Sequence, residues 1–264
     1  MQTATALRIA ARDLSLQDDW PAGPTIPLIH TSDIHVWRIN LNLQITSQHQ
    51  SILSKYEHQR AEHFRCERER RRFLVARLCL RLILARYLSV NPAQLKFQTN
   101  AFGKPFLPED GSALRFNLSR SNELALLVVA AAREVGIDIE FMRAEASIDE
   151  LAQRFFSYVE VQQLRSINPQ YKTTAFFNCW TRKEAYIKAR GQGLFLPPEQ
   201  FDVSIGPDEP PSLLANRLEP AETSRWSFRE LFPAAGYAAT VAIEGTLRAA
   251  ELWSYVLDPG RPAS

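Results

Sequence analysis

Residues 114–140 read "LRFNLSRSNELALLVVAAAREVGIDIE", and the fold turns on how this stretch is divided. It opens with a strand-like run from Leu114, and a small polar turn is expected at Ser119–Ser121. An apolar segment then continues through Ala132 into "EVGIDIE". Strand patterns therefore lie on both sides of a natural seam near Ala132–Val135.

Upstream of the seam, "HVWRINLNL" (His35 to Leu43) alternates as a strand does, and the pattern from about Ser51 to Leu88 is helical. In "RRFLVARLCLRLILARYL", Phe73, Arg77, Leu80, Leu84 and Tyr87 share a helical repeat, which leaves Arg72, Arg81 and Arg86 for other faces. "KFQTNAFGKPFLP" reads as strand, turn, strand around Gly103 and Pro105. Downstream, helices are expected over Ile148–Phe156, Tyr158–Ser166 and Thr173–Ala189. Short strands follow at Phe201–Ile205, Trp226–Leu231, Tyr237–Ile243 and Glu251–Tyr255, with a Pro-rich loop in "GPDEPPSLLANRLEPAE". The second half repeats the logic of the first. The expectation is an α+β protein of two pseudo-symmetric lobes of similar α/β topology: a loosely packed leader at 1–30, lobes at 31–133 and 134–264, and a site at the seam.

Composition narrows the function. The 264 residues are 45% hydrophobic and 23% charged, which suffices for a sizeable core, and the net charge of +2 argues against a nucleic-acid partner. The locally basic run from Arg60 to Arg86 is interleaved with Glu62, Glu67 and Glu69 and leads into apolar residues, so it reads as one face of a packed helix. Three scattered cysteines form no disulfide framework or zinc site. With no signal peptide and no apolar run of membrane-spanning length, a cytoplasmic protein without a membrane partner is expected. The five histidines all precede residue 64 and show no metal-ligand spacing.

Two patterns carry chemistry. In "GIDIE", alternation puts Ile137 and Ile139 on one strand face and Asp138 and Glu140 on the other. Carboxylates about 7 Å apart on one face repel unless a cation offsets them. On spacing alone, Mg²⁺ and an exposed face paired with arginines both remain open. In "WTRKEAYIKARGQGL" (residues 180–194), Glu184 and Lys188 stack at i and i+4 beside Lys183. Taken alone, that pair is a surface salt bridge worth a few tenths of a kcal/mol. Thr173 or Thr174 would cap this helix, Gly191 would end it, and Phe176, Phe177, Trp180, Tyr186 and Ile187 would be its buried side. Lys104 in "FGKP" and Arg120, between Ser119 and Ser121 in "NLSRS", add cations on turns, which suit phosphate.

In this order and at this separation, "FGKP", "FNLSRS", "GIDIE", "RFFS" and "WTRKEAYIKARGQGL" resemble the 4'-phosphopantetheinyl transferases of the larger, two-lobed, surfactin-synthetase-activating type. The likeness spans roughly Ser54 to Ile243. It implies transfer of the phosphopantetheine arm of coenzyme A to a serine hydroxyl of an apo acyl or peptidyl carrier protein, with release of adenosine 3',5'-bisphosphate. The carriers would serve fatty-acid, polyketide or nonribosomal peptide synthesis. The resemblance implies that Asp138, Glu140 and Glu184 bind Mg²⁺ (Mn²⁺ being the alternative), that Glu184 is also the general base, and that Lys188 holds the pyrophosphate. It assigns coenzyme A contacts to Lys104, Ser119, Arg120, Arg72 and Lys183. The family turn is usually Ser-His-Ser. Arginine at 120 keeps a cation there but excludes a titratable role. Carrier docking is expected near Phe141–Phe156, on Met142, Ile148 and Leu151, by a monomer. Two rival readings are a Mg²⁺-dependent hydrolase of a nucleotide pyrophosphate and a non-catalytic binding module.

Overall fold

A computed structural model describes residues 20–108, 113–143, 147–206 and 209–257. Its strands are β1 (Asp33–Asn40), β2 (Gln98–Thr99), β3 (Pro105–Phe106), β4 (Leu114–Ser121), β5 (Leu124–Ala131), β6 (Val135–Phe141), β7 (Phe201–Val203), β8 (Leu213–Asn216), β9 (Trp226–Leu231), β10 (Tyr237–Glu244) and β11 (Ala249–Ser254). Its helices are α1 (Ser47–Gln50), α2 (Lys55–Glu62), α3 (Glu67–Leu88), α4 (Ile148–Phe155), α5 (Tyr158–Ser166) and α6 (Pro169–Arg190). One sheet runs β11-β1-β5-β4, antiparallel except for the parallel β1–β11 pair, and a second runs β6-β10-β9, wholly antiparallel. The fold is α+β and two-lobed, as expected.

The opening stretch divides differently from its sequence reading. Ser119–Ser121 do not form a turn. They complete β4 in register with Leu126, Ala125 and Leu124, and the reversal falls at Asn122, whose φ is +49°. The apolar run is two strands, because Ala132 at φ +57° breaks it. That break sends β5 into the first sheet and β6 into the second.

Each lobe packs a 22-residue helix on its sheet. α3 buries Val75, Ala76, Cys79, Leu80, Ile83 and Leu84 against Trp37, Ile39, Leu127 and Val129. In the second lobe α6 buries Phe176, Ala185, Tyr186 and Ala189 with Phe156, Phe201 and Trp226. A further cluster joins Ile34, Val36, Leu126 and Val128 to Ile137, Ile139, Val241 and Ile243, so the two sheets share one apolar layer. Gly136 lets α6 settle directly on β6, since a Cβ there would run into the backbone of Ala185, Lys188 and Ala189.

Several expectations change. The helical region from about Ser51 to Leu88 is two helices, α2 and α3, and the short α1 precedes it. α2 is closed by a capping box between Ser54 and Glu57. Arg72 and Arg81, which the helical repeat leaves for other faces, are buried: Arg81 pairs with buried Glu57 at 2.8 Å, and Arg77 binds the other Glu57 oxygen at 2.7 Å. α6 begins four residues earlier than expected, with Asn168 as cap and Pro169 in its first turn, where a missing N–H costs nothing. Gly191 ends it at φ +64°, as anticipated. The Pro-rich loop contains β8 and a short 3-10 turn at Pro220–Ser224.

Most of the expected leader, residues 1–19, and the last residues, 258–264, lie outside the described residues. Trp20 is buried and Ala22 bridges Ser254, so the start of the described chain is anchored, while Ile26 and Leu28 are exposed. β11 crosses back from the second half to flank β1. Ile148 lies in the second-lobe core with Met142 and Leu151 packed on it, so Ile148 is core rather than docking surface. Residues 144–146 are outside the described residues.

Candidate active site

Strand alternation places Asn117, Ser119 and Ser121 of β4 on one face, at the edge where β4 meets β6. Although the two strands share no ladder, their side chains join them. Asn117 Oδ1 accepts the Ile137 N–H at 2.9 Å, Ser119 Oγ donates to Asp138 Oδ1 at 2.9 Å, and Ser121 Oγ donates to Glu140 Oε2 at 2.8 Å. The hydroxyls thus address the two carboxylates of "GIDIE". Ile137 and Ile139 face the inter-sheet core, as the alternation predicts.

From α6, Lys188 reaches the same point. Its Nζ lies 2.5 Å from Asp138 Oδ1 and 3.0 Å from Ser119 Oγ. The acids are therefore not an exposed face paired with arginines. Asp138 is 2% exposed, and its second oxygen, Oδ2, is buried with no hydrogen-bond partner. Burial, then the charge of Asp138, raises the pKa of Glu184, and Lys188 only partly offsets this. The same two causes raise the Glu140 pKa against Ser121 and Lys188. For Lys188, burial acts downward, but Asp138, Glu184 and Glu140 outweigh it and hold the ammonium above its ordinary range.

Three carboxyl groups and an unpartnered buried oxygen are the donor chemistry a hard divalent cation takes. As the side chains stand, with Lys188 on Asp138 and Ser121 on Glu140, no three His, Cys, Asp or Glu among the described residues are grouped to hold a metal ion.

Glu184 and Lys188 line a cleft of about 570 Å³. Its other walls include Phe102, Pro105, Phe155, Trp180, Ile187 and Leu196. It is a mainly apolar hollow with acid and ammonium on one side.

The remaining candidates are dispersed. Arg120 projects from the opposite face of β4, where it binds Glu69 at 3.3 Å and lies 5.3 Å from the Phe64 ring. Arg72 binds the same Glu69 and also Asn122, Asn42 and Glu123, so it braces the β4–β5 hairpin tip. Lys104 lines the cleft, but its Nζ donates to Glu134 at 2.8 Å, Ala189 O at 3.0 Å and Val135 O at 3.1 Å. Lys183 also lines the cleft, with its ammonium bound to Glu160 and to the carbonyls of Pro198 and Phe201. The structure thus gathers Asp138, Glu140, Glu184, Lys188 and Ser119, and sets Arg72 with Arg120 apart. Sequence reading missed Asn117 and gave Ser121 no role, although the period-2 polar face of "FNLSRS" carries both.

Residues 42–134 match the family model described as 4'-phosphopantetheinyl transferase, N-terminal, and residues 134–242 that of the 4'-phosphopantetheinyl transferase superfamily. The chain is 40% identical over 246 residues to the 4'-phosphopantetheinyl transferase HetI of Nostoc sp., covering 91% of this chain and 100% of that relative. It is 31% identical over 158 residues to a 4'-phosphopantetheinyl transferase of Bacillus subtilis, covering 60% of this chain and 69% of the relative. The 4'-phosphopantetheinyl transferase Sfp of Bacillus subtilis is 29% identical over a segment with the same coverage. Seam, acids and lysine thus sit in a chain that belongs to the 4'-phosphopantetheinyl transferase family, and the protein is a transferase of that kind.

Proposed function

We propose that the protein moves phosphopantetheine from coenzyme A to a carrier protein at the seam, onto a serine hydroxyl, with Mg²⁺, releasing adenosine 3',5'-bisphosphate. The observation that carries this is buried Asp138, with one oxygen unpartnered and the other bound to Lys188, beside Glu184 at the cleft wall. Asp138, Glu140 and Glu184 would hold the ion, which when bound offsets charge on the pyrophosphate oxygens. Glu184 takes the proton of the serine hydroxyl, and its raised pKa suits a general base. The serine oxygen then bonds to the phosphorus bearing the pantetheine, and the bond to the bridging oxygen breaks toward the departing bisphosphate. Lys188 offers a fixed cation to a pyrophosphate oxygen, Ser119 orients Asp138, and Arg120, braced by Glu69, meets the nucleotide phosphates.

We assign the carrier to the surface near Phe141–Phe156, with Met142 and Leu151 as its apolar contacts. Residues 31–133 and 134–264 are taken as the two lobes, a division supported by the hand-over from β5 to β6, with β11 crossing back. Since one chain supplies every residue named, a monomer suffices. No helix among the described residues is long and apolar enough to cross a membrane, and we assign the protein to the cytoplasm, where carrier synthases of these types work.

The test is incubation with coenzyme A, Mg²⁺ and apo acyl and peptidyl carriers, read by intact mass. Gain of the phosphopantetheine mass is expected, with loss of that gain in Asp138→Ala, Glu140→Ala and Glu184→Ala variants that remain folded. Coenzyme A hydrolysis without carrier loading would replace this reading with a hydrolase, and activity retained in all three variants would overturn the metal assignment.

A further inference from the structure

The turn between β2 and β3 belongs to the first lobe, yet its side chains end on the second. Asn100 Nδ2 donates to Gly191 O at 2.8 Å, and Lys104 Nζ donates to Ala189 O at 3.0 Å. Both carbonyls lie at the C-terminal end of α6, where the last four C=O groups lack partners within the helix and partial negative charge collects. The first lobe therefore caps this helix from across the seam. A Cβ on Gly191 would stand 2.9 Å from Lys104 Cδ and 3.1 Å from Asn100 Nδ2, so glycine is needed for this approach as well as for its positive φ.

Asn100 also builds the turn it works from. Its Oδ1 accepts the N–H groups of Phe102 and Lys104, both at 2.9 Å, while Asn100 N donates to Lys104 O at 3.0 Å. One end of the carboxamide shapes the turn and the other grips the helix. An ammonium has three donors, and those of Lys104 already meet Glu134, Val135 O and Ala189 O. The gripped carbonyls of Ala189 and Gly191 fall within the helix turn that follows Lys188, and Lys188 is the residue whose ammonium rests on Asp138.

We infer that the Asn100–Lys104 turn is a clasp that sets the last turn of α6, and that Asn100 and Lys104 are positioning residues for Lys188. The inference rests on the transfer reading above, in which Lys188 meets the pyrophosphate. It gives Lys104 a role in the seam in place of a direct phosphate contact.

Asn100→Asp separates the two jobs of the side chain, because it keeps an acceptor for the turn and loses the donor to Gly191 O. In the ligand-free protein, amide exchange over residues 187–191 should speed up about tenfold, with exchange elsewhere unchanged. In transfer assays kcat should fall about tenfold while KM for coenzyme A stays within about threefold. In a Lys188→Ala background, followed by single-turnover carrier loading, the same substitution should cost nothing further. Gly191→Ala approaches the contact from the helix side and should give the same split between kcat and KM. Unchanged exchange in Asn100→Asp overturns the clasp, as does an equal loss in the Lys188→Ala background. Failure of the wild-type protein to load any carrier would count against the transfer reading, and the exchange result would still decide the clasp.

Discussion

At the scale of single residues, the site holds charge that the fold would be more stable without. Glu184 has its pKa raised by burial and then by Asp138, so the folded state favours its neutral form. A carboxyl raised in this way adds stability when protonated and loses it as pH rises through its folded pKa. At neutral pH Glu184→Gln should therefore abolish transfer and raise the melting temperature measured without divalent ions. A lower melting temperature would contradict the electrostatic account. Arg120 stands outside this cluster, beside Glu69 and Phe64. Arg120→Ala should raise KM for coenzyme A about tenfold, the order expected for loss of one charge-assisted phosphate contact, with kcat at saturation largely kept. Steady-state kinetics check this, and an unchanged KM removes Arg120 from the nucleotide site. The Glu184–Lys188 spacing was legible in the sequence, but the partner of Lys188 was not, because Asp138 lies fifty positions away along the chain.

At the scale of elements, the height of α6 over β6 decides whether Lys188 meets Asp138. Gly136 sets that height, since a methyl there would meet the backbone of Ala185, Lys188 and Ala189, which cannot swing aside as a side chain can. Gly136→Ala should lift the helix, cost about 1–3 kcal/mol as an overpacked core does, and reduce kcat more than its loss of folded protein explains. Denaturant melts paired with active-site titration separate the two effects. "GIDIE" announced its two acids by alternation, but its glycine gave no sign of what approaches it. The same limit applies to α3 and α2. The helical period was readable, whereas the pairing of Arg81 and Arg77 with buried Glu57 depends on how the two helices dock.

At the scale of the molecule, the first sheet is completed by β11, the last strand among the described residues. His35 on β1 lies 2.8 Å from the Tyr87 hydroxyl on α3 and stacks edge-on to Trp253 of β11, with its Nε2 buried and without a hydrogen bond. Burial lowers its pKa to about 4 from 6.5, so the folded state resists protonation. Stability is then full above pH 6.5 and falls as the pH drops toward about 4, by roughly 1.4 kcal/mol per pH unit for this one group. Denaturant melts between neutral pH and pH 5 should show this slope, and His35→Gln should flatten it. A slope unchanged in the variant would assign the acid sensitivity to other groups.

What the sequence determined by itself was local: the alternation of "GIDIE", the one-turn spacing of Glu184 and Lys188, the glycine that stops α6, and the mix of helix and strand in both halves of the chain. Each follows from backbone geometry over a few residues. The tertiary structure decided the rest. It assigned Ser119–Ser121 to a strand, buried Arg72 and Arg81, committed the ammonium groups of Lys104 and Lys183 to carbonyls and carboxylates, and carried β11 back to β1. Those outcomes depend on which distant segments pack together. An ion pair or a cap is made by whichever group arrives within 3 Å, and local periodicity carries no information about that arrival.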